Sequence, residues 1–191
     1  LAERLRDEGY LVYGTRLHGH GTSPDELRDV SWTAWLDSIR RGLAAARASG
    51  QLLWFVHADS GFAQPALQYR EAMLRPGVRW GRFDIRLDAE AAIYRLVGFM
   101  INRRSRWSQV ATGDQGIFVE RALFEQQGGY GDMPLMEDIE LSLRLRRVAR
   151  ASCERLQLLT SARRWQRNGV WRTILLMWRL RFAFYLGVSP Q

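Results

Sequence analysis

Two rhythms of apolar and polar residues run along the chain, and each predicts a different element. Unbroken or alternating apolar runs predict strands. These are "YLVYGTRL" at 10–17, "LLWFVH" at 52–57 and "VRWGRFDIRLD" at 78–88, with "GIFV" at 116–119 and a fifth strand within 153–165. The run at 52–57 has no polar break, the signature of a parallel strand buried on both faces. The stretch 78–88 alternates instead and reads as an edge or antiparallel strand. Helical spacing marks 2–8, 31–50, 65–76, 89–104, a short piece within 113–132, 137–149 and 169–186. Ser31 and Gly50 supply start and stop chemistry for the second of these. Strands and helices take turns, so the expected fold is one α/β domain over 1–191: a mainly parallel sheet sandwiched by helices.

Composition narrows the class. The chain has 191 residues, 47% hydrophobic and 25% charged, which suits a single globular core. Net charge is +8 with an isoelectric point near 10.6. All 28 basic residues are arginine, a bias that fits a GC-rich bacterial genome as well as phosphate recognition. No run of five basic residues is present, so no nucleic-acid tail and no nucleic-acid partner is expected. One cysteine, Cys153, excludes an internal disulfide and a cysteine metal cluster and fits a reducing cytoplasm. The start, "LAERLRDEGY", reads as an amphipathic helix and not as a signal peptide. The apolar stretch 173–187 is interrupted by Arg179 and Arg181 and is too short to span a bilayer. It either packs on its own domain or touches a membrane surface, making the protein peripheral to the inner membrane.

Four segments carry candidate chemistry, each with a plainer reading beside it. In "FVHADSGF", 55–62, His57 and Asp59 stand at the carboxyl end of an apolar strand, where open sheets bind ligands. Asp59 could hold a hard divalent cation, or could simply cap a helix. "ATGDQGIFV", 111–119, sets Asp114 and Gln115 between Gly113 and Gly116, allowing close backbone approach or just a turn. "PLMEDIELSLRLRR", 134–147, puts Glu137, Asp138 and Glu140 ahead of three arginines. A helix start explains this order through the helix dipole. A carboxylate within hydrogen-bond reach of an acceptor hydroxyl could equally act as a base. "TSARRWQRNG", 160–169, joins Arg164 to Trp165, a phosphate clamp with a stacking ring or a solvated turn with a core tryptophan. His18 and His20 lack a third ligand nearby and read as part of a Gly-rich structural loop.

Taken in order, "AAARASGQLLWFVHADS", "WGRFDIRLD", "GDQGIFVERALFEQQGGYGDMPLMEDIELSLRLRR" and "TSARRWQRNGVWRTILLMWRLRFAFYLGVSP" resemble the second half of a family-two glycosyltransferase with the GT-A (Rossmann-like) fold. The likeness is to the type described as radical-SAM/selenodomain-associated transferases and covers residues 41–191. It implies inverting transfer of a sugar from a nucleotide-diphosphate donor to an acceptor hydroxyl. It also implies Asp138 as the base, Glu137 as its orienting partner, and Gly113, Asp114 and Gln115 along the acceptor and donor-sugar side. Asp59 implies a metal site for Mg2+ or Mn2+, with His57 where the family's first aspartate stands. Arg164 and Trp165 match in part a substrate-binding motif of processive relatives, with Ser161 in place of glutamine.

Residues 1–38 depart from that family. They resemble the segment before the nucleophile elbow of an α/β-hydrolase of the carboxylesterase or monoacylglycerol-lipase kind. The chain therefore reads as a chimera or fusion, with an incomplete GT-A fold. The elbow G-x-S-x-G is absent, and no histidine follows "HADSG". Two alternatives to a transferase stay open: a catalytically silent recombined scaffold, and a hydrolase using Asp59 as nucleophile.

Overall fold

The computed structural model describes residue 6 and residues 52–57, 60–133 and 135–187. Apart from helical residue 6, the predicted elements before residue 51, including the hydrolase-like segment with His18 and His20, lie outside the described residues, as does Asp59. Five strands are described: β1 Leu52–Trp54, β2 Gly61–Phe62, β3 Trp80–Leu87, β4 Phe118–Glu120 and β5 Ser152–Thr160. Six α-helices accompany them: α1 Ala66–Met73, α2 Ala92–Ser108, α3 Arg121–Gln126, α4 Glu137–Val148, α5 Arg163–Asn168 and α6 Val170–Tyr185.

The fold is mixed α/β, and the expected mainly parallel sheet is corrected. Strand order is β1-β4-β3-β5-β2. Among the described strands only β3 and β5 pair in parallel, from Gly81 opposite Ser152 to Leu87 opposite Thr160. The pairs β1–β4, β3–β4 and β2–β5 are antiparallel. Leu52–Trp54 is an edge strand in the described sheet, and β3 is its central strand, antiparallel to β4 as its alternation allowed and parallel to β5. The pairing register still gives β1, β3 and β5 a common direction, because β4 runs antiparallel to both β1 and β3. Their carboxyl ends therefore share one edge of the sheet.

Side-chain alternation along the strands feeds two core layers. On one face Leu53, Trp80 and Val119 meet Leu123 and Phe124 of α3 and Leu141 and Leu145 of α4. On the other, Phe83, Phe118 and Leu158 meet Tyr69 and Met73 of α1. Trp54 stacks on Phe62 and Tyr69 at ring separations of 5.5 and 5.8 Å. These aromatic neighbours explain why an edge strand is unbroken in its apolar run. Each fully buried large side chain contributes about 1.5–3 kcal/mol.

Helix α2 is fixed to the central strand by polar groups. Asn102 Nδ2 donates to Ile85 O at 2.9 Å, and Ile85 N donates to Asn102 Oδ1 at 2.8 Å. Beside it, buried Arg82 pairs with Asp84 and donates to Asn102 O at 2.9 Å. The segment 160–169, read as a phosphate clamp or a solvated turn, holds α5 at Arg163–Asn168. Arg163, its first residue, donates from Nε to Ser161 Oγ at 3.0 Å.

Candidate functional site

The site gathers at the shared carboxyl edge of β1, β3 and β5. Past Trp54, Phe55 N still donates to Ile117 O at 2.8 Å, so the chain leaves the sheet only after Phe55. His57 follows and is exposed. Opposite it, a single 3-10 turn, Gly113–Gln115, precedes β4. Gln115 is wholly buried; its Oε1 accepts from Thr112 N at 3.2 Å, so it builds the turn from inside. Gly116 closes the turn at φ 60, where a Cβ would fall 2.4 Å from Leu158 Cδ1; only glycine fits. Thr112 donates its hydroxyl to Asp114, which holds that carboxylate at the turn.

Gly113 is the hinge of the arrangement. A Cβ at this position would lie 2.7 Å from His57 Nε2 and 3.8 Å from Asp138 Oδ2. The missing side chain lets His57 and Asp138 approach the same backbone atom. Gly113 N donates to Asp138 Oδ2 at 2.7 Å, and Ile139 N donates to Asp138 Oδ1 at 2.7 Å. Each oxygen of Asp138 thus holds one backbone donor and keeps a further lone pair.

Helix α4 begins with the acids directly after Met136, its N-terminal cap residue. Met136 has φ 69, in the left-handed region, and is buried against Val110 and Ile139. A buried, bulky residue held there marks local strain of the kind that gathers at functional sites. Burial raises the Asp138 carboxyl above its ordinary value of 3.8; the two backbone donors pull it down, Asp114 pushes it up and His57 pulls it down. Burial also raises Glu137 above 4.5, opposed by its own backbone N–H, supported by Asp138 and opposed by His57. Tyr130 is raised above 10.0 first by burial and then by both carboxylates. Its ring packs on Phe55 and Phe124 at 5.0 and 5.7 Å. The phenol therefore stays protonated within the field of the acid pair.

Glu140, third of the acids, has a structural partner. It pairs with Arg144, whose guanidinium also donates to Gly129 O at 2.6 Å and to Gln127 O. This clamps the glycine-rich loop against α4.

The structure thus brings together His57, Gly113, Asp114, Glu137 and Asp138, from three separate stretches of sequence. Arg164 and Trp165 divide. Both follow β5 on α5, at the same sheet edge, but Trp165 packs with Leu87, Val97 and Ala162, and Arg164 is exposed. Trp165 is a half-buried packing side chain. Sequence reasoning missed Tyr130 and Met136. The only hint was the run "GGYGDMPLM", whose glycines mark a tight loop ahead of the acids.

Among the described residues, no group of three or more His, Cys, Asp or Glu is arranged to hold a metal ion. Among the described residues no helix is long and apolar enough to cross a membrane. Compared with protein-family models, curated proteins and solved structures, the chain matches none.

Proposed function

We propose that the acid pair at the start of α4 is the base of an inverting glycosyl transfer, from a nucleotide-diphosphate sugar to an acceptor hydroxyl. On this reading the sheet and its helices are an incomplete GT-A fold. One observation carries the proposal: Asp138 is a partly buried carboxylate with a raised pKa, held by Gly113 N at the carboxyl edge of the sheet. Carboxylates shifted by burial in such a place are functional-site candidates.

The step balances simply. Asp138 takes the acceptor's proton on a free lone pair. The acceptor oxygen bonds the anomeric carbon while that carbon's bond to the diphosphate oxygen breaks, and the electron pair leaves with the diphosphate. Attack opposite the leaving group inverts the centre. Glu137 is the orienting partner of Asp138, and Gly113 and Asp114 line the approach. A divalent cation, Mg2+ or Mn2+, would neutralise the leaving diphosphate. That expectation rests on Asp59, outside the described residues, and the proton step at Asp138 does not depend on it.

The test is release of nucleoside diphosphate from a panel of nucleotide sugars, with thermal shift by UDP or GDP measured with and without Mn2+. Ligands that bind the native state alone must raise its melting temperature. A shift together with release supports a transferase. No shift with any nucleotide, and no release, points to a silent scaffold and overturns the proposal.

A further inference from the structure

Helix α6 carries an apolar stripe that nothing among the described residues covers. Trp171, Leu175, Trp178, Phe182 and Tyr185 recur at helical spacing and are each at least 60% exposed. At about 100° per residue they fall within roughly 80° of arc. Their exposure is not a by-product of a loose helix. The opposite side is docked: Thr173 is buried, Val170 packs toward Leu87 and Val97, and Leu180 and Phe184 pack on Val110, Met136 and Ile139. The helix therefore has a committed inner face and a separate outer face made of large aromatic and aliphatic groups.

Charge selects the partner for that outer face. Residues 161–187 hold six arginines and no acidic residue. Arg172 and Arg179 are exposed along one flank of the stripe, and Arg163, Arg164 and Arg167 are exposed on α5 next to it. The last three surround a solvent-open hollow of about 470 Å³ with Asn168. Tryptophan and tyrosine favour the boundary between hydrocarbon and water, and arginine reaches headgroup phosphates from beside an apolar face. With 16 residues and three arginines, α6 is built to lie along a bilayer and not to cross it.

We propose that α5 and α6 dock this protein on an anionic lipid surface, with the α6 stripe in the acyl boundary and the α5 arginines on lipid phosphates. The proposal stands independently of the chemistry assigned to Asp138. Because Leu180 and Phe184 hold Met136 from the inner side of α6, docking also sets the start of α4 beside the membrane.

The experiment is co-sedimentation of the full chain with phosphatidylcholine vesicles, with and without phosphatidylglycerol. Binding to the anionic vesicles is expected to be at least about tenfold tighter and to weaken with salt. Tryptophan emission is expected to shift to shorter wavelength on binding. The triple variant Trp171→Ser, Trp178→Ser, Phe182→Ser loses binding to both vesicles. The variant Arg163→Gln, Arg164→Gln, Arg167→Gln keeps residual binding and loses the preference for anionic lipid. All substituted side chains are exposed or flank the core, so circular dichroism should match the parent and confirm folding. The proposal is overturned if the parent ignores anionic vesicles. It is equally overturned if sedimentation velocity finds a dimer that the triple serine variant dissociates, since the stripe then faces a second copy.

Discussion

Two acidic centres lie in the same arginine-rich chain, and they are built in opposite ways. Asp84, on the central strand, is held by two arginines: buried Arg82, and Arg106, whose Nη2 lies 3.0 Å from each carboxylate oxygen. At the start of α4, Glu137 and Asp138 meet no arginine among the described residues, although arginines abound. Asp138 relies on two backbone N–H groups instead, and burial raises both carboxyls. An ion pair fixes a carboxylate as structure. A carboxylate left with backbone donors and partial burial keeps a lone pair and an appetite for a proton. The difference separates acid used as frame from acid available for chemistry.

The largest effect should come from breaking the framed centre. Asp84→Ala leaves Arg82, 1% exposed, with its charge uncompensated; a loss of about 3–5 kcal/mol is expected in urea unfolding. Next, Arg144→Ala frees Glu140 and drops two carbonyl bonds to the loop before the acids. Stability should fall by about 1–3 kcal/mol, with faster amide exchange through residues 127–133. Gly113→Ala should cost less, about 1 kcal/mol, because exposed His57 can swing away from the new methyl. Its larger consequence should be loss of transfer, since the backbone donor to Asp138 shifts.

The smallest effect is the most diagnostic of the unframed pair. Glu137 has a folded pKa above its ordinary 4.5, so the folded state favours its protonated form. The linked contribution is most favourable below 4.5. It declines as pH rises through the raised folded value and is flat beyond it. Glu137→Gln should remove that decline and leave the separate one from Asp138. Urea midpoints of parent and variant, measured from pH 4 to pH 8, check this. Parallel curves would mean that Glu137 ionises in the fold as it does in water.

Much of the helical content was legible, because helices carry their instructions locally. The predicted 137–149 is observed as Glu137–Val148, and 169–186 as Val170–Tyr185. The sheet was less legible. An apolar run says that a strand is covered, and not which strand pairs with it. Leu52–Trp54 owes its covering to Phe62 and Tyr69 at one layer and to the Leu123 and Phe124 cluster at the other, so burial and parallel pairing came apart. Residues 163–168 lacked the apolar spacing of a helix because only Trp165 faces the core. In the site, the residue types at 57, 113, 114, 137 and 138 were visible. The closeness of His57 to Gly113, and of Tyr130 to the acids, depends on tertiary contacts across 56 and fewer positions that no local pattern encodes.

The most direct measurement pairs catalysis with binding on one preparation of Asp138→Asn. The account predicts that nucleoside diphosphate release at saturating donor falls by about 100-fold or more, while donor affinity by calorimetry stays within a few-fold of the parent. Release within a few-fold of the parent would contradict it, as would loss of donor binding together with activity.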